Sequence, residues 1–317
     1  MLKDNYTIEE TKRTMKPRNP FITLVILIIT TLIPSMIFGL GFMIIYVQNA
    51  DPSTLNKESI MAAMTGDKFT LGNLALTFFV ALALFYYARK FQRRNNASLG
   101  LTHPQKFTNY MRGMVIGLLM MLVTFLILLI SGQIEVVNNL SNVSPLIFII
   151  FIIGWMVQGF EEELMCRSIL MNYFAARRGV VAGIVINSLI FSLLHLANPG
   201  FGLLPFITIF LMGVIFSLMF YISDDIFLPA AAHSFWNFAQ GNIFGITVSG
   251  GFAMKNTIIR TNLVGNPILT GGSFGVEGGL IVMIVELIVV GVLVKLALDK
   301  NKNTKEKLVF ESKKGDL

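Results

Sequence analysis

The sequence has little charge and almost no cysteine. Only 14% of its 317 residues are Asp, Glu, Lys or Arg, against about 25% in an average soluble domain. The single cysteine, Cys166, excludes an intramolecular disulfide and a cluster of thiolate ligands around a metal. Hydrophobic residues make up 54% of the chain, and its mean hydropathy is +0.70. Hydrophobic segments recur from residue 21 to residue 298 without a long polar block, which predicts one integral membrane domain and not two soluble ones.

Eight hydrophobic segments are long enough to approach or cross a bilayer core about 30 Å thick. They are Phe21–Val47, Phe69–Ala88, Met111–Ile130, Pro145–Phe174, Val180–Leu196, Leu203–Ile222, Ile226–Phe244 and Leu280–Leu298. We therefore predict an all-α fold, a polytopic membrane helical bundle of about eight transmembrane segments. Residues 1–20 are predicted to form a basic cytoplasmic tail, residues 21–298 the membrane domain and residues 299–317 a charged cytoplasmic tail.

The distribution of basic residues predicts the orientation, because cytoplasmic loops collect Lys and Arg. With the N-terminus inside, the cytoplasmic segments hold 20 of the 25 Lys and Arg residues, and Arg167 lies within the membrane. The outer loops hold only Lys57, Lys68, Lys255 and Arg260. This predicts a multi-pass protein of the cell membrane with both termini in the cytoplasm. The net charge of +7 then reflects membrane anchoring, and no basic patch interleaved with aromatics indicates a nucleic-acid partner.

A cluster of charges interrupts one hydrophobic segment. Glu161, Glu162, Glu163 and Arg167 follow sixteen residues that carry no charge. Each charged residue at the centre of a membrane helix costs roughly 2.5 to 3.5 kcal/mol on insertion scales, so a cluster of four predicts a functional site. The alternative is that Phe160 ends a membrane helix and the acids lie in interfacial water.

Three more polar residues lie in other hydrophobic segments: His195, His233 and Asn237. Residues four apart share a helix face, so His233 and Asn237 point the same way. Each residue alone could simply join two helices by a hydrogen bond. Together they provide groups that amide hydrolysis requires: a carboxylate as general base, a His that shares the proton, and donors to the developing oxyanion. By the same spacing Arg167 can hold Glu163 ionised, while Glu162 lies about 100° round the helix.

The order of these motifs resembles a known family. Glu162-Glu163-x-x-x-Arg167, Phe191-x-x-x-His195 and His233-x-x-x-Asn237 follow one another on successive hydrophobic segments. They are similar to the three motifs of the CPBP family, which comprises CAAX prenyl proteases of the Ras-converting-enzyme type and the bacteriocin-processing and immunity proteins formerly called the Abi family. The resemblance covers roughly residues 145–244.

The resemblance implies an intramembrane glutamate endopeptidase that cleaves membrane-associated, hydrophobic or lipidated peptides. It implies that Glu162 and His195 activate water, that His233 and Asn237 bind the oxyanion, and that Glu163 and Arg167 support them. It also implies a site that opens towards the cytoplasm. One departure is the sequence Cys166-Arg167-Ser168 in place of an aromatic-Arg-Gly.

Several alternatives stay open. One Glu and two His match the ligands of some catalytic zinc sites, although the sequence has no His-Glu-x-x-His motif, so we predict no metal or cofactor and keep zinc as the alternative. The polar cluster could also belong to a non-catalytic immunity or signalling scaffold, or to a proton-coupled transporter. The predicted partners are a membrane-associated peptide substrate and the lipid bilayer. Simple counting places His195 and His233 at different depths, so one segment must be tilted, broken or re-entrant for them to meet.

Overall fold

The structure is a computed structural model that describes residues 2–16, 19–64, 66–251 and 254–315. Within them the α-helices are α1 (Tyr6–Thr14), α2 (Pro20–Asn49), α3 (Lys57–Met64), α4 (Asp67–Tyr86), α5 (Lys106–Ile130), α6 (Pro145–Glu163), α7 (Asn172–Arg178), α8 (Val180–Leu193), α9 (Leu203–Ser223), α10 (Phe227–Phe238), α11 (Pro267–Thr270) and α12 (Leu280–Gly315). Single π-helical segments continue α4, α6 and α10, at Tyr87–Phe91, Leu164–Met171 and Ala239–Ile243. Two short strands, β1 (Ile134–Asn138) and β2 (Ile259–Leu263), pair antiparallel with Ile134 opposite Leu263.

Six helices of the described chain are long and apolar enough to cross a membrane: Pro20–Asn49, Asp67–Phe91, Lys106–Ile130, Pro145–Arg178, Leu203–Ser223 and Leu280–Lys302. The predicted all-α, multi-pass membrane bundle is therefore confirmed, but the predicted count of about eight spans is not. Two of the predicted segments fold as shorter helices, α8 with 14 residues and α10 with 12. At 1.5 Å per residue α8 reaches only about 21 Å, and α10 with its π-helical continuation to Ile243 only about 25 Å, less than the thickness of a bilayer core.

One end of the bundle, here called the N-terminal face, is formed by α1, residues 92–105 and residues 224–226. The Asn5 side chain caps α1 by accepting from the Ile8 backbone N–H, and its amide donates to the Tyr221 carbonyl. The backbone N–H of Ile226 donates to the Gly100 carbonyl, which joins two connections of this face. The tail predicted at residues 1–20 thus contains an ordered helix that packs on the bundle.

The opposite end, here called the loop face, is formed by α3, the β1–β2 ribbon and residues 194–202, 244–251 and 254–279. The Asp67 carboxylate at the start of α4 accepts from the backbone N–H groups of Lys255 and Asn256. The Asn139 side chain donates to the Thr257 carbonyl. These bonds fix the long connection between α10 and α12 against the rest of the loop face.

The short helix α10 lies in the middle of the bundle, and small residues let its neighbours approach it. A Cβ added at Gly113 or Gly117 of α5 would lie 2.1 or 2.2 Å from a carbonyl oxygen of α10, and one added at Gly159 of α6 would lie 2.3 Å from Ser234 Oγ. Such close packing of small residues is typical of membrane helices, which associate through van der Waals contact. It places the side chains of α10 directly against the charged end of α6.

Candidate active site

The four residues predicted to be catalytic line one cavity of about 430 Å³ inside the bundle: Glu162, His195, His233 and Asn237. His195 and His233 meet in this cavity although simple counting places them at different depths. The helix α8 ends at Leu193, so His195 lies in the turn that follows it. The short α10 brings His233 to the same cavity from the other side. Side chains from three segments that are far apart in the sequence therefore face a common space.

A buried ion pair lies behind the cavity. Arg167 Nη1 donates to Glu163 Oε1 at 2.9 Å, and both side chains are fully buried. Arg167 Nη2 donates to the Gly213 carbonyl of α9 at 3.1 Å. The guanidinium also lies 4.6 Å from the ring centroid of Phe191 and 5.3 Å from that of Phe216, distances typical of cation–π contacts. The ion pair predicted from the spacing of four residues thus forms, and it is held between two aromatic rings.

The ion pair orients His233. The Nδ1 atom of His233 lies 2.9 Å from Glu163 Oε1, the same oxygen that accepts from Arg167. An arginine-paired carboxylate is ionised and can only accept, so His233 Nδ1 carries a proton and donates it. The imidazole also stacks on Phe216, with ring centroids 4.8 Å apart and planes at 18°. This arrangement directs Nε2 into the cavity, 3.7 Å from Glu162 Oε2.

The orientation of His195 is fixed by the last turn of α8, the helix that precedes it. Its Nδ1 lies 2.8 Å from the carbonyl oxygen of Phe191, four residues earlier. A carbonyl oxygen can only accept, so Nδ1 carries the proton and Nε2 is the acceptor nitrogen of the neutral ring. The spacing of the Phe191-x-x-x-His195 motif therefore has a direct structural consequence, which is the tautomer of the histidine.

Gln158 joins the two polar helices of the site and was not predicted. Its amide Nε2 donates to Glu162 Oε1, and its Oε1 accepts from Asn237 Nδ2 at 3.0 Å. One signal could have indicated it: Gln158 precedes Glu162 by four residues and is the only amide side chain in the run from Pro145 to Phe160. Residues at this spacing share a helix face.

A further carboxylate, Glu277, holds a segment that lines the cavity and was also not predicted. Its Oε1 accepts from Trp236 Nε1 of α10 at 3.0 Å, and its Oε2 accepts from the backbone N–H and the hydroxyl of Ser249. The Ser249 carbonyl in turn accepts from Asn198 Nδ2 at 2.7 Å, three residues beyond His195. Ser249 has φ +46°, a conformation that residues other than glycine rarely adopt. Glu277 thus connects α10 with the turn that carries His195.

Substitution of Glu277 tests this connection. Glu277→Gln is expected to loosen residues 248–251, because the new amide nitrogen would face the Ser249 N–H, and an unsatisfied buried donor costs about 1–3 kcal/mol. Hydrogen–deuterium exchange of the Ser249 amide should accelerate at least about tenfold, since 1.4 kcal/mol corresponds to that factor. Glu135→Gln, on the exposed face of β1, is the matched control. Unchanged exchange in Glu277→Gln would show that Glu277 does not hold this segment.

The described residues contain no group of three or more His, Cys, Asp and Glu side chains that could hold a metal ion. The Nδ1 atoms of both cavity histidines are engaged, one with Glu163 and one with a carbonyl. The zinc alternative therefore depends on a chelator experiment, described under the proposed function.

Comparison with known protein families identifies a match over part of the chain. Residues 144–239 match the family model described as type II CAAX prenyl endopeptidase, Rce1-like. The matched segment begins just before α6 and ends just after α10, so it contains all the predicted site residues. The family resemblance inferred from the three motifs is thereby confirmed. A comparison of the chain with curated proteins finds no match.

Proposed function

We propose that this protein is an intramembrane endopeptidase in which Glu162 and His195 activate water. Its residues 144–239 match the Rce1-like type II CAAX prenyl endopeptidase model. The family is one of peptide hydrolases. The observation that carries the proposal is the convergence of Glu162, His195, His233 and Asn237 on one cavity inside the membrane bundle. We expect no metal or cofactor to take part, and we expect the substrate to be a membrane-associated or hydrophobic peptide.

Water activation is assigned to the two groups that can accept a proton. Glu162 is 24% exposed in its side chain, which leaves it accessible from the cavity. His195 offers its Nε2 lone pair to the same space. A water molecule held between them gives one proton to Glu162 as its oxygen attacks the peptide carbonyl carbon. The proton then passes to the leaving amine as the C–N bond breaks, so the carboxylate is regenerated.

Oxyanion stabilisation is assigned to His233 and Asn237. Because His233 Nδ1–H donates to Glu163, a donor role for Nε2 requires the imidazolium form, with Glu162 and Glu163 as its counter-charges. Asn237 has a second amide hydrogen besides the one directed at Gln158. Donors of this kind contribute about 2.7–4 kcal/mol each when they are aimed at the developing charge. Glu163 and Arg167 position His233 and do not touch the substrate.

Gln158 is expected to matter for turnover more than for binding. Gln158→Met keeps a similar volume but removes the bonds to Glu162 and Asn237, and a hydrogen bond to a charged group contributes about 1.5–3 kcal/mol. We expect kcat to fall roughly tenfold to 100-fold with a much smaller change in KM. The measurement is steady-state cleavage of a fluorogenic peptide in detergent, with Gln105→Met on the exposed N-terminal face as the control. Equal kcat for the two variants would remove Gln158 from the site.

The experiment that tests the function is peptide cleavage by the detergent-purified protein. A library of hydrophobic, lipidated and plain peptides is incubated with the wild type and with Glu162→Ala, each with and without a chelator. Cleavage by the wild type alone, unaffected by the chelator, is the expected result. Inhibition by the chelator would favour zinc. An unchanged cellular effect of the Glu162→Ala variant, together with no cleavage by folded wild type, would favour the non-catalytic scaffold.

A further inference from the structure

Arg94 lies in the connection between α4 and α5, and its side chain is buried within the N-terminal face. The preceding Arg93 has φ +57°, a left-handed conformation that commonly ends a helix, and the backbone N–H of Arg94 donates back to the Ala88 carbonyl. Arg94 is only 1% exposed. Burial lowers its pKa to about 9, because desolvation disfavours the charged form. A charged side chain in this position therefore needs strong contacts to offset its burial.

Those contacts are made with a hydroxyl and two carbonyl oxygens, none of which carries a charge. The Nε atom of Arg94 donates to Ser98 Oγ at 2.9 Å. Its Nη2 atom donates both to the Ser98 carbonyl and to the Ser168 carbonyl, the latter at 2.9 Å. The bond to Ser168 joins the N-terminal face to the π-helical continuation of α6.

Ser168 is held by the same stretch of chain in a second way. Its hydroxyl donates to the Leu99 carbonyl at 2.7 Å, and the side chain is fully buried. Both the carbonyl and the hydroxyl of Ser168 are therefore bound by residues 94–99. The sequence departs from the family motif at this position, with Ser168 in place of a glycine. The serine adds a bond that glycine could not make.

The π-helical segment Leu164–Met171 carries Arg167 and begins directly after Glu163. Such segments are rare and are frequently found at functional sites. The end of this one is bound to the N-terminal face as well, since Asn172 Nδ2 donates to the Ser98 carbonyl at 3.1 Å. The guanidinium of Arg167 is thus held by Glu163 and α9, whereas the backbone that carries it is held from the N-terminal face.

We propose that Arg94 is a positioning residue of the site, which fixes the π-helical segment so that Arg167 reaches Glu163 and Glu163 holds His233. This inference rests on the proposed function, in which His233 binds the oxyanion. Arg94 is not among the residues that line the cavity, so it acts through Arg167 and does not contact the substrate. The alternative role is packing of its apolar stem, which does not require a guanidinium.

Two side chains of similar length separate these roles. Arg94→Met keeps an unbranched stem and removes every donor, whereas the single nitrogen of Arg94→Lys can donate to both carbonyls, as Nη2 does. We expect kcat for peptide cleavage to fall about tenfold to 100-fold in Arg94→Met, with KM little changed, and Arg94→Lys to recover most of the loss. Arg93→Met, at the exposed neighbouring position, should keep the wild-type kcat. If Arg94→Met is as active as Arg94→Lys, the proposal is overturned, because packing alone favours the neutral side chain.

A thermodynamic cycle tests the same inference without the reaction. Denaturant-induced unfolding in detergent is measured for Arg94→Met, Arg167→Met and the variant with both changes. If Arg94 directs Arg167 to Glu163, the effect of Arg167→Met on the unfolding equilibrium constant should be at least about fivefold smaller in the Arg94→Met background. Repulsion between two buried cations would instead make that effect larger. A larger effect, or an unchanged one, would overturn the proposal.

The two measurements together separate this inference from the proposed function. A smaller effect in the unfolding cycle, combined with no cleavage by the folded wild type, would support the connection from Arg94 to Arg167 and overturn the endopeptidase. Additive effects in the cycle, combined with cleavage that Glu162→Ala abolishes, would retain the endopeptidase and remove Arg94 from its positioning role.

Discussion

Glu162→Gln is expected to reduce kcat for peptide hydrolysis by about 10²–10⁴-fold, the range that a positioned general base contributes. Glutamine has almost the same shape, and its Oε1 can still accept from Gln158, so the bond observed in the structure survives. What is lost is the ability to take a proton from water. KM should change little, because the peptide would contact the same cavity wall.

The adjacent acid provides the control for this experiment. Glu161 is also buried, but it does not line the cavity that contains His233 and Asn237. Glu161→Gln makes the same substitution in the same helix turn and should retain most of the activity. If both variants lose activity equally, the general-base assignment to Glu162 is wrong. If neither variant loses activity, hydrolysis does not depend on either of these two carboxylates.

The part of the site that follows helical periodicity could be predicted from the sequence. The Glu163–Arg167 ion pair is a consequence of a four-residue spacing on one helix. The bond from His195 to the Phe191 carbonyl has the same spacing and forms at the end of α8. Both contacts depend on the local geometry of a helical turn, which the sequence pattern predicts. The order of the three motifs then indicated which segments had to meet.

Contacts between distant segments could not be predicted in this way. Phe216 is one of many aromatic residues in an apolar helix, and only the packing of α9 against α10 shows that it stacks on His233. Glu277 lies in a glycine-rich connection, and only the folded connection brings it to Trp236 of α10 and to Ser249. The predicted count of about eight membrane spans is not confirmed, for a related reason. Hydrophobic composition does not distinguish a helix that spans the bilayer from a short one buried inside the bundle, such as α10.

The buried ion pair of Arg167 and Glu163 lies behind the cavity and contacts His233. An ion pair in a fully buried position is weak evidence of stabilisation, since desolvation opposes the attraction between the charges. Here the Glu163 carboxylate has a further role, because one of its oxygens accepts from Arg167 and from His233 together. The pair fixes which nitrogen of His233 faces the cavity. In the proposed mechanism its role is to orient His233, and its effect on stability is expected to appear only when one partner is removed.

Arg167→Met is expected to lower the free energy of unfolding by about 3–5 kcal/mol, the effect of leaving one charge of a buried pair without its partner. The Glu163 carboxylate would keep only the bond from His233, and the two aromatic rings would lose the cation between them. Arg178→Met, at the exposed end of α7, should stay within about 0.5 kcal/mol of the wild type. Denaturant-induced unfolding in detergent measures both variants. Equal stability of the two would show that the buried pair is not coupled to the fold.

The double variant Glu163→Leu with Arg167→Met separates stability from orientation. Replacing a whole buried ion pair by apolar side chains is often neutral or stabilising, so we expect most of the lost stability to return. Activity should not return, because His233 Nδ1–H then has no carboxylate to hold it and Nε2 is no longer directed at the oxyanion. Recovery of kcat together with stability would mean that Glu163 and Arg167 only hold the helices together. A stable but inactive protein would establish that they position His233.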